Sequence, residues 1–203
     1  MNEKWFAPVL PYLAVWMGLF LFKSAWAALI GLHIAFLCVL AFYQSKPAPI
    51  HLFKSKKSKW IVFNLLLCGP VGLGIYYLHS FVGLALNFKM QLAQLGLNTN
   101  TLPAFIAYFS LVNPFLEEYF WRSFFGSGTK GFYIGDLLYA SYHVLILINK
   151  VSILATLFSI VCLTFIGWFW RQSRREDQGQ LAAVLGHMAA DFSVLTAVFF
   201  LVK

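Results

Sequence analysis

Long apolar blocks run along this chain, broken by short clusters of charge, glycine and proline. A helix needs about 20 mostly apolar residues to cross a bilayer. Such spans are predicted at 5–22, 25–43, 60–80 (reaching as far as 88), 102–125, 132–149, 152–170 and 181–202. That makes about seven, with six and eight as the bounds. Gly69-Pro70 lies inside the third block, which is therefore one tilted helix or a broken one. The fold class expected is all-α, a polytopic transmembrane helix bundle. No linker, low-complexity run or internal repeat divides the chain, so 1–203 reads as a single integral membrane domain.

Composition agrees with this pattern. The chain is 61% hydrophobic and 11% charged, against about 45–50% and about 25% in soluble domains. There is too little polar surface to coat a water-soluble globule. The net charge of +8 comes from 15 Lys and Arg, most of them at the ends of apolar runs. No basic face can be drawn, which argues against nucleic acid as a partner. Cys38, Cys68 and Cys162 lie within apolar runs without paired spacing, so buried thiols are expected rather than disulfides or a zinc knuckle.

Charge also orients the spans. Lys46, Lys54, Lys56, Lys57 and Lys59 share loop 44–59, while Arg171, Arg174 and Arg175 share loop 171–180. Both loops should be cytoplasmic. Seven spans reconcile them, with the N-terminus inside and only Lys23, Lys89, Lys150 and Lys203 outside. Lys4, the first apolar run and Ala25-Trp26-Ala27 resemble a cleavable signal, but Glu3 and Lys23 interrupt that pattern and a second apolar run follows at once. A retained first helix is expected. Trp5, Trp60, Trp168 and Trp170 read as interfacial anchors.

The acids carry the strongest local signal. Glu117, Glu118, Asp136 and Asp191 fall within predicted spans, where an ionisable group costs about 2.5–3.5 kcal/mol near the bilayer centre and is usually functional or paired. Glu118 and Arg122 are four residues apart on one helix face and can pair. Glu117 points about 100° away without a local partner, which suits a general base working near neutrality. Tyr139 and His143 lie one turn apart in the next acidic span, and His187 and Asp191 lie one turn apart in the last. Glu117, His143, His187 and Asp191 sit about 9–16 Å from the predicted cytosolic ends of their helices. Polar pairs also glue helices together, yet three sets at one depth favour a shared site. Asp136 has no evident partner and is expected to snorkel. His33 and His79 read as single histidines among apolar residues without a functional role, and Gly126–Gly131 as a short turn without phosphate-loop spacing.

The ordered set Glu117-Glu118…Arg122, Tyr139…His143 and His187…Asp191 resembles the CAAX-protease and bacteriocin-processing family, which includes the type II CAAX prenyl endopeptidases. The resemblance covers residues 102–202; residues 1–101 supply helices without a recognised motif. It implies a glutamic-type intramembrane protease without a metal cofactor, acting on a membrane-associated peptide or protein. In that implication Glu117 is the general base and His143 positions or polarises the water. His187 and Asp191 support the oxyanion, while Arg122 holds Glu118. The family's second motif usually opens with Phe, where this chain has Tyr139 (or Tyr142 at another offset). Its last position is often Asn, where Asp191 donates a hydrogen bond only when protonated. A bacterial inner membrane is the expected location. Prenylated C-termini, leader peptides and C-terminal sorting tails all stay open as substrates. Two other readings remain: zinc held by Glu117, His143, His187 and Asp191, and a transporter or scaffold, against which the absence of a repeat between the two halves counts.

Overall fold

The structure is a computed structural model that describes residues 3–43 and 48–203, the side chain of Glu3 excepted; Lys46 lies outside the described residues. The described residues are helical without strands. Their order is α1 (Val9–Trp16), α2 (Ala25–Phe42), α3 (Ser58–Cys68), α4 (Val71–Tyr77), α5 (His79–Val82), α6 (Phe88–Gln94), α7 (Leu102–Glu117), α8 (Ile134–Ser141), α9 (His143–Leu147), α10 (Ile153–Asp177) and α11 (Leu181–Val202). π-helical turns extend α1 over Met17–Leu21 and α7 over Glu118–Phe124.

Five segments are long and apolar enough to cross a membrane: Lys4–Leu21, Ala25–Phe42, Ser58–Tyr77, Ile153–Asp177 and Leu181–Val202. With the α7 segment and the shorter α8–α9 pair the bundle is compatible with the expected count of about seven. Gly69-Pro70 breaks the third span, since Pro70 supplies no N–H to continue the ladder. The α8–α9 pair, Ile134–Leu147, rises only about 21 Å, less than the ~30 Å hydrocarbon core. It is the short member of the bundle.

The basic clusters sort to opposite ends of this bundle. Lys4 Nζ donates to the carbonyl of Phe124, Arg171 to those of Ser127, Thr129 and Gly131, and the backbone amides of Lys56 and Lys57 to Asp177. At the far end, Lys89 Nζ reaches the carbonyl of Lys203, and Ala85 N–H that of Lys150. Lys4, Lys56 and Lys57, the 126–131 turn and the end of α10 thus lie together at one end of the bundle.

α11 forms the axis, packed against α3, α4 and α7, while α1 pairs with α2, and α8 with α10. Small residues permit the close approaches, as is usual where lipid supplies no hydrophobic drive. A Cβ on Gly72 would come within 1.9 Å of the Ser193 carbonyl oxygen, and one on Gly186 within 2.8 Å of Asn64 Cβ. Outward faces carry Phe, Leu, Ile and Val, the surface a bilayer would cover.

Three local expectations are corrected. The sixth span does not end at 170: α10 continues to Asp177, and its last turns bury Trp170, Arg171, Ser173 and Asp177. Trp170 is therefore an interior residue instead of an interfacial anchor. Asp136 does not snorkel; it is buried and paired with Arg171 at 2.7 Å. Of the thiols only Cys68 is buried, and Cys38 and Cys162 point outward, because an apolar run in a membrane bundle has a lipid side as well as a core side.

Candidate active site

Four helical segments converge on His187, which is 3% exposed in the interior of α11. Its Nδ1 lies 3.1 Å from Glu118 Oε1, and its Nε2 lies 3.7 Å from Glu117 Oε2 and 3.6 Å from Asp191 Oδ2. One imidazole thus faces three carboxyl groups. Trp170 stacks on the ring at 4.5 Å between centroids, and Tyr139 meets it edge-on at 6.1 Å. Both Glu117 and Glu118 are fully buried, whereas the side chain of Asp191 retains 16% exposure.

The two glutamates share a site because the helix changes pitch there. α7 gives way to the π-turn at Glu118, four residues beyond Pro114. π-turns are rare and frequent at functional sites. Glu117 acquires the partner that sequence proximity did not offer: the Tyr142 hydroxyl donates to its Oε1. Tyr142 ends α8, and its ring stacks parallel on Trp121 at 6.3 Å. Tyr12 of α1 braces that segment by bonding the Leu138 carbonyl at 2.7 Å and Ser141 Oγ at 2.6 Å.

Arg122 lies where the i, i+4 rule puts it, with Nε 3.6 Å from Glu118 Oε2. The nearer partner of Glu118 is nevertheless His187, and the guanidinium lies over the Tyr139 ring at 3.9 Å. A cation–π contact therefore gives the aromatic of the second motif a physical role. Gly167 lets α10 approach this layer: a Cβ there would sit 3.1 Å from Tyr139 Cδ1 and 3.3 Å from Arg122 Nη2.

His143 stands beside the cluster instead of in it. Its Nδ1 lies 3.2 Å from the carbonyl oxygens of both Tyr139 and Ala140, and the ring packs on Tyr142 at 4.1 Å. An Nδ1–H donating to those carbonyls leaves Nε2 as the acceptor of the neutral ring. His143 is then suited to accept from a water, not to donate to an oxyanion.

Of the residues read from the sequence, the structure brings Glu117, Glu118, Arg122, His187 and Asp191 into one cluster, with Tyr139 beneath it and His143 alongside. Sequence reasoning did not assign Trp170 or Asn113 to the site. Trp170 was hidden by the misplaced end of its helix. Asn113, 1% exposed, precedes Pro114 and carried no charge to mark it. No cluster of three or more His, Cys, Asp and Glu side chains among the described residues has the arrangement to hold a metal ion.

No curated protein and no solved structure matches the chain. A family model does: residues 99–193 match "Type II CAAX prenyl endopeptidase Rce1-like". That segment holds all three motifs and every residue facing His187, and the helices around it make an integral membrane protein. Over residues 99–193 the chain is thus similar to the Rce1-like type II CAAX prenyl endopeptidases.

Proposed function

We propose that the chain is a glutamic-type intramembrane protease in which Glu117 activates water. The observation that carries this reading is the division of labour between the two oxygens of Glu117. Oε1 is engaged by the Tyr142 hydroxyl, while Oε2 has no hydrogen-bond partner and faces His187 Nε2 at 3.7 Å. A buried carboxylate fixed at one oxygen and open at the other is placed to take a proton from water. His143, an acceptor at Nε2, would help to orient that water. The hydroxide then attacks the peptide carbonyl, and charge develops on its oxygen near His187 and Asp191. The proton held by Glu117 passes to the leaving nitrogen as the C–N bond breaks. Glu118 and Arg122 hold the His187 ring and the Tyr139 layer in position.

The substrate would be a membrane-associated peptide or protein reaching the site from the cytoplasmic side, where the basic end of the bundle lies. A bacterial inner membrane is the proposed location, and 1–203 is proposed to act as one domain.

Cells carrying the wild-type chain and cells carrying Glu117→Gln, at equal membrane levels, are compared by terminal-sequencing proteomics. Peptide ends present only with wild type are expected, and they name the substrate. Cleavage of that substrate in proteoliposomes is expected to survive chelation. Identical fragment profiles would move the transporter or scaffold reading forward, and loss on chelation with recovery on zinc would revive the metalloprotease.

A further inference from the structure

Hydrolysis of a peptide bond requires a donor aimed at the developing oxyanion, and most polar groups of this site are already committed. The Tyr142 hydroxyl serves Glu117. His187 Nδ1 serves Glu118, and its Nε2 lies between two carboxyl groups. His143 uses Nδ1 on backbone carbonyls. The Arg122 guanidinium makes no hydrogen bond but is held as a charge between Glu118 and the Tyr139 ring. Asp191 is acceptor-only when ionised.

Among the described residues the buried neutral donors without a hydrogen-bond partner include the indole N–H groups of Trp121 and Trp170 and one side-chain amide. Asn113 of α7, one turn before Glu117, is 1% exposed, and its Nδ2 has no hydrogen-bond partner. Its amide lies beside the Asp191 carboxyl. Its Oδ1 is occupied from the other side, with His33 Nε2 at 3.2 Å, while His33 Nδ1 faces the Tyr108 hydroxyl at 3.3 Å. These contacts form a consistent chain: Tyr108 O–H donates to His33 Nδ1, and His33 Nε2–H donates to Asn113 Oδ1. The amide is then locked with its NH₂ turned away from His33. His33 is 4% exposed in the middle of α2, in the half of the chain that carries no motif and lies outside the family match.

We propose that Asn113 Nδ2 is a catalytic hydrogen-bond donor to the oxyanion, and that His33 is the positioning residue that fixes the orientation of its amide. This rests on the proteolytic reading above. It assigns residues 1–101 a part in the chemistry through one buried histidine.

The test uses full-length chain in proteoliposomes and an internally quenched peptide copied from the cleavage site that the Glu117→Gln comparison identifies. Asn113→Ala is expected to lower kcat by about 10²-fold, the usual effect of losing one oxyanion donor, with KM nearly unchanged. Adding Asp191→Asn returns an amide to the neighbouring position, and the double variant is expected to regain at least about tenfold in kcat, part of that same loss. His33→Phe keeps the core filled and is expected to lower kcat less than Asn113→Ala, again without moving KM. Should Asn113→Ala fail to fold, Asn113→Leu, which fills the same space without a donor, replaces it. A folded Asn113 variant with wild-type kcat, alongside an inactive Glu117→Gln, would overturn the assignment while leaving the protease reading intact. So would an unaltered loss in the double variant. If Glu117→Gln changes no fragment in cells, the protease reading fails and this inference fails with it.

Discussion

His187→Ala is expected to cost both reaction and fold, where Glu117→Gln costs the reaction alone. The imidazole is the shared partner of Glu117, Glu118 and Asp191, at 3.7, 3.1 and 3.6 Å. Its removal leaves three carboxyl groups, two of them fully buried, facing one another across a cavity under Trp170. Removing one partner of a buried charged set costs about 3–5 kcal/mol, which for a chain of this size lowers the melting temperature by roughly 10 °C or more. Among molecules that remain folded, kcat is expected to fall on the order of 10³-fold, since both the environment of the base and the oxyanion support are altered. Thermal unfolding in detergent and peptide cleavage in proteoliposomes read the two effects separately. A variant that melts with wild type would show that the ring does not hold the carboxyl groups together.

The importance of His187 also marks how far the sequence carries. Periodicity can place residues on one helix, so Glu118 with Arg122 and His187 with Asp191 were legible as i, i+4 pairs. Hydropathy and the distribution of Lys and Arg made a bundle of about seven spans legible, because both follow directly from the cost of polar groups in lipid. What periodicity cannot supply is the partner on another helix. Helical spacing pairs Glu118 with Arg122, yet its closer contact is His187, 69 positions away. Tyr142 at Glu117 and His33 at Asn113 are of the same kind, 25 and 80 positions apart. The end of α10 was misplaced for a related reason. Arginine near an apolar run signals a loop on average, but here Arg171 turns inward to a buried partner.

That partner supplies the second large effect, and it separates structural from chemical use of charge. Arg171 Nε and Nη2 contact both oxygens of Asp136 at 2.9 and 2.7 Å, and its remaining donors take the carbonyl oxygens of Ser127, Thr129 and Gly131. The carboxyl of Asp136 also accepts the Tyr133 N–H at 2.9 Å, capping α8. This bidentate pair has its lone pairs and protons satisfied, unlike Glu117, Glu118 and Asp191, each of which keeps an unpartnered oxygen. A satisfied buried pair is a fastening; one with open acceptors around a histidine is suited to act on something else. Asp136→Ala is accordingly expected to lower stability by about 3–5 kcal/mol, because it strands a buried guanidinium. Changing both residues together, Asp136→Leu with Arg171→Met, is expected to restore much of that loss, since two apolar side chains leave no charge to satisfy. The folded fraction of either variant should turn over substrate near the wild-type rate. Unfolding midpoints of wild type, Asp136→Leu, Arg171→Met and the double variant close the cycle. A double variant no more stable than the singles would mean that the 126–133 loop depends on Arg171 for its own geometry. A fall in kcat at full stability would draw the Asp136–Arg171 pair into the site itself.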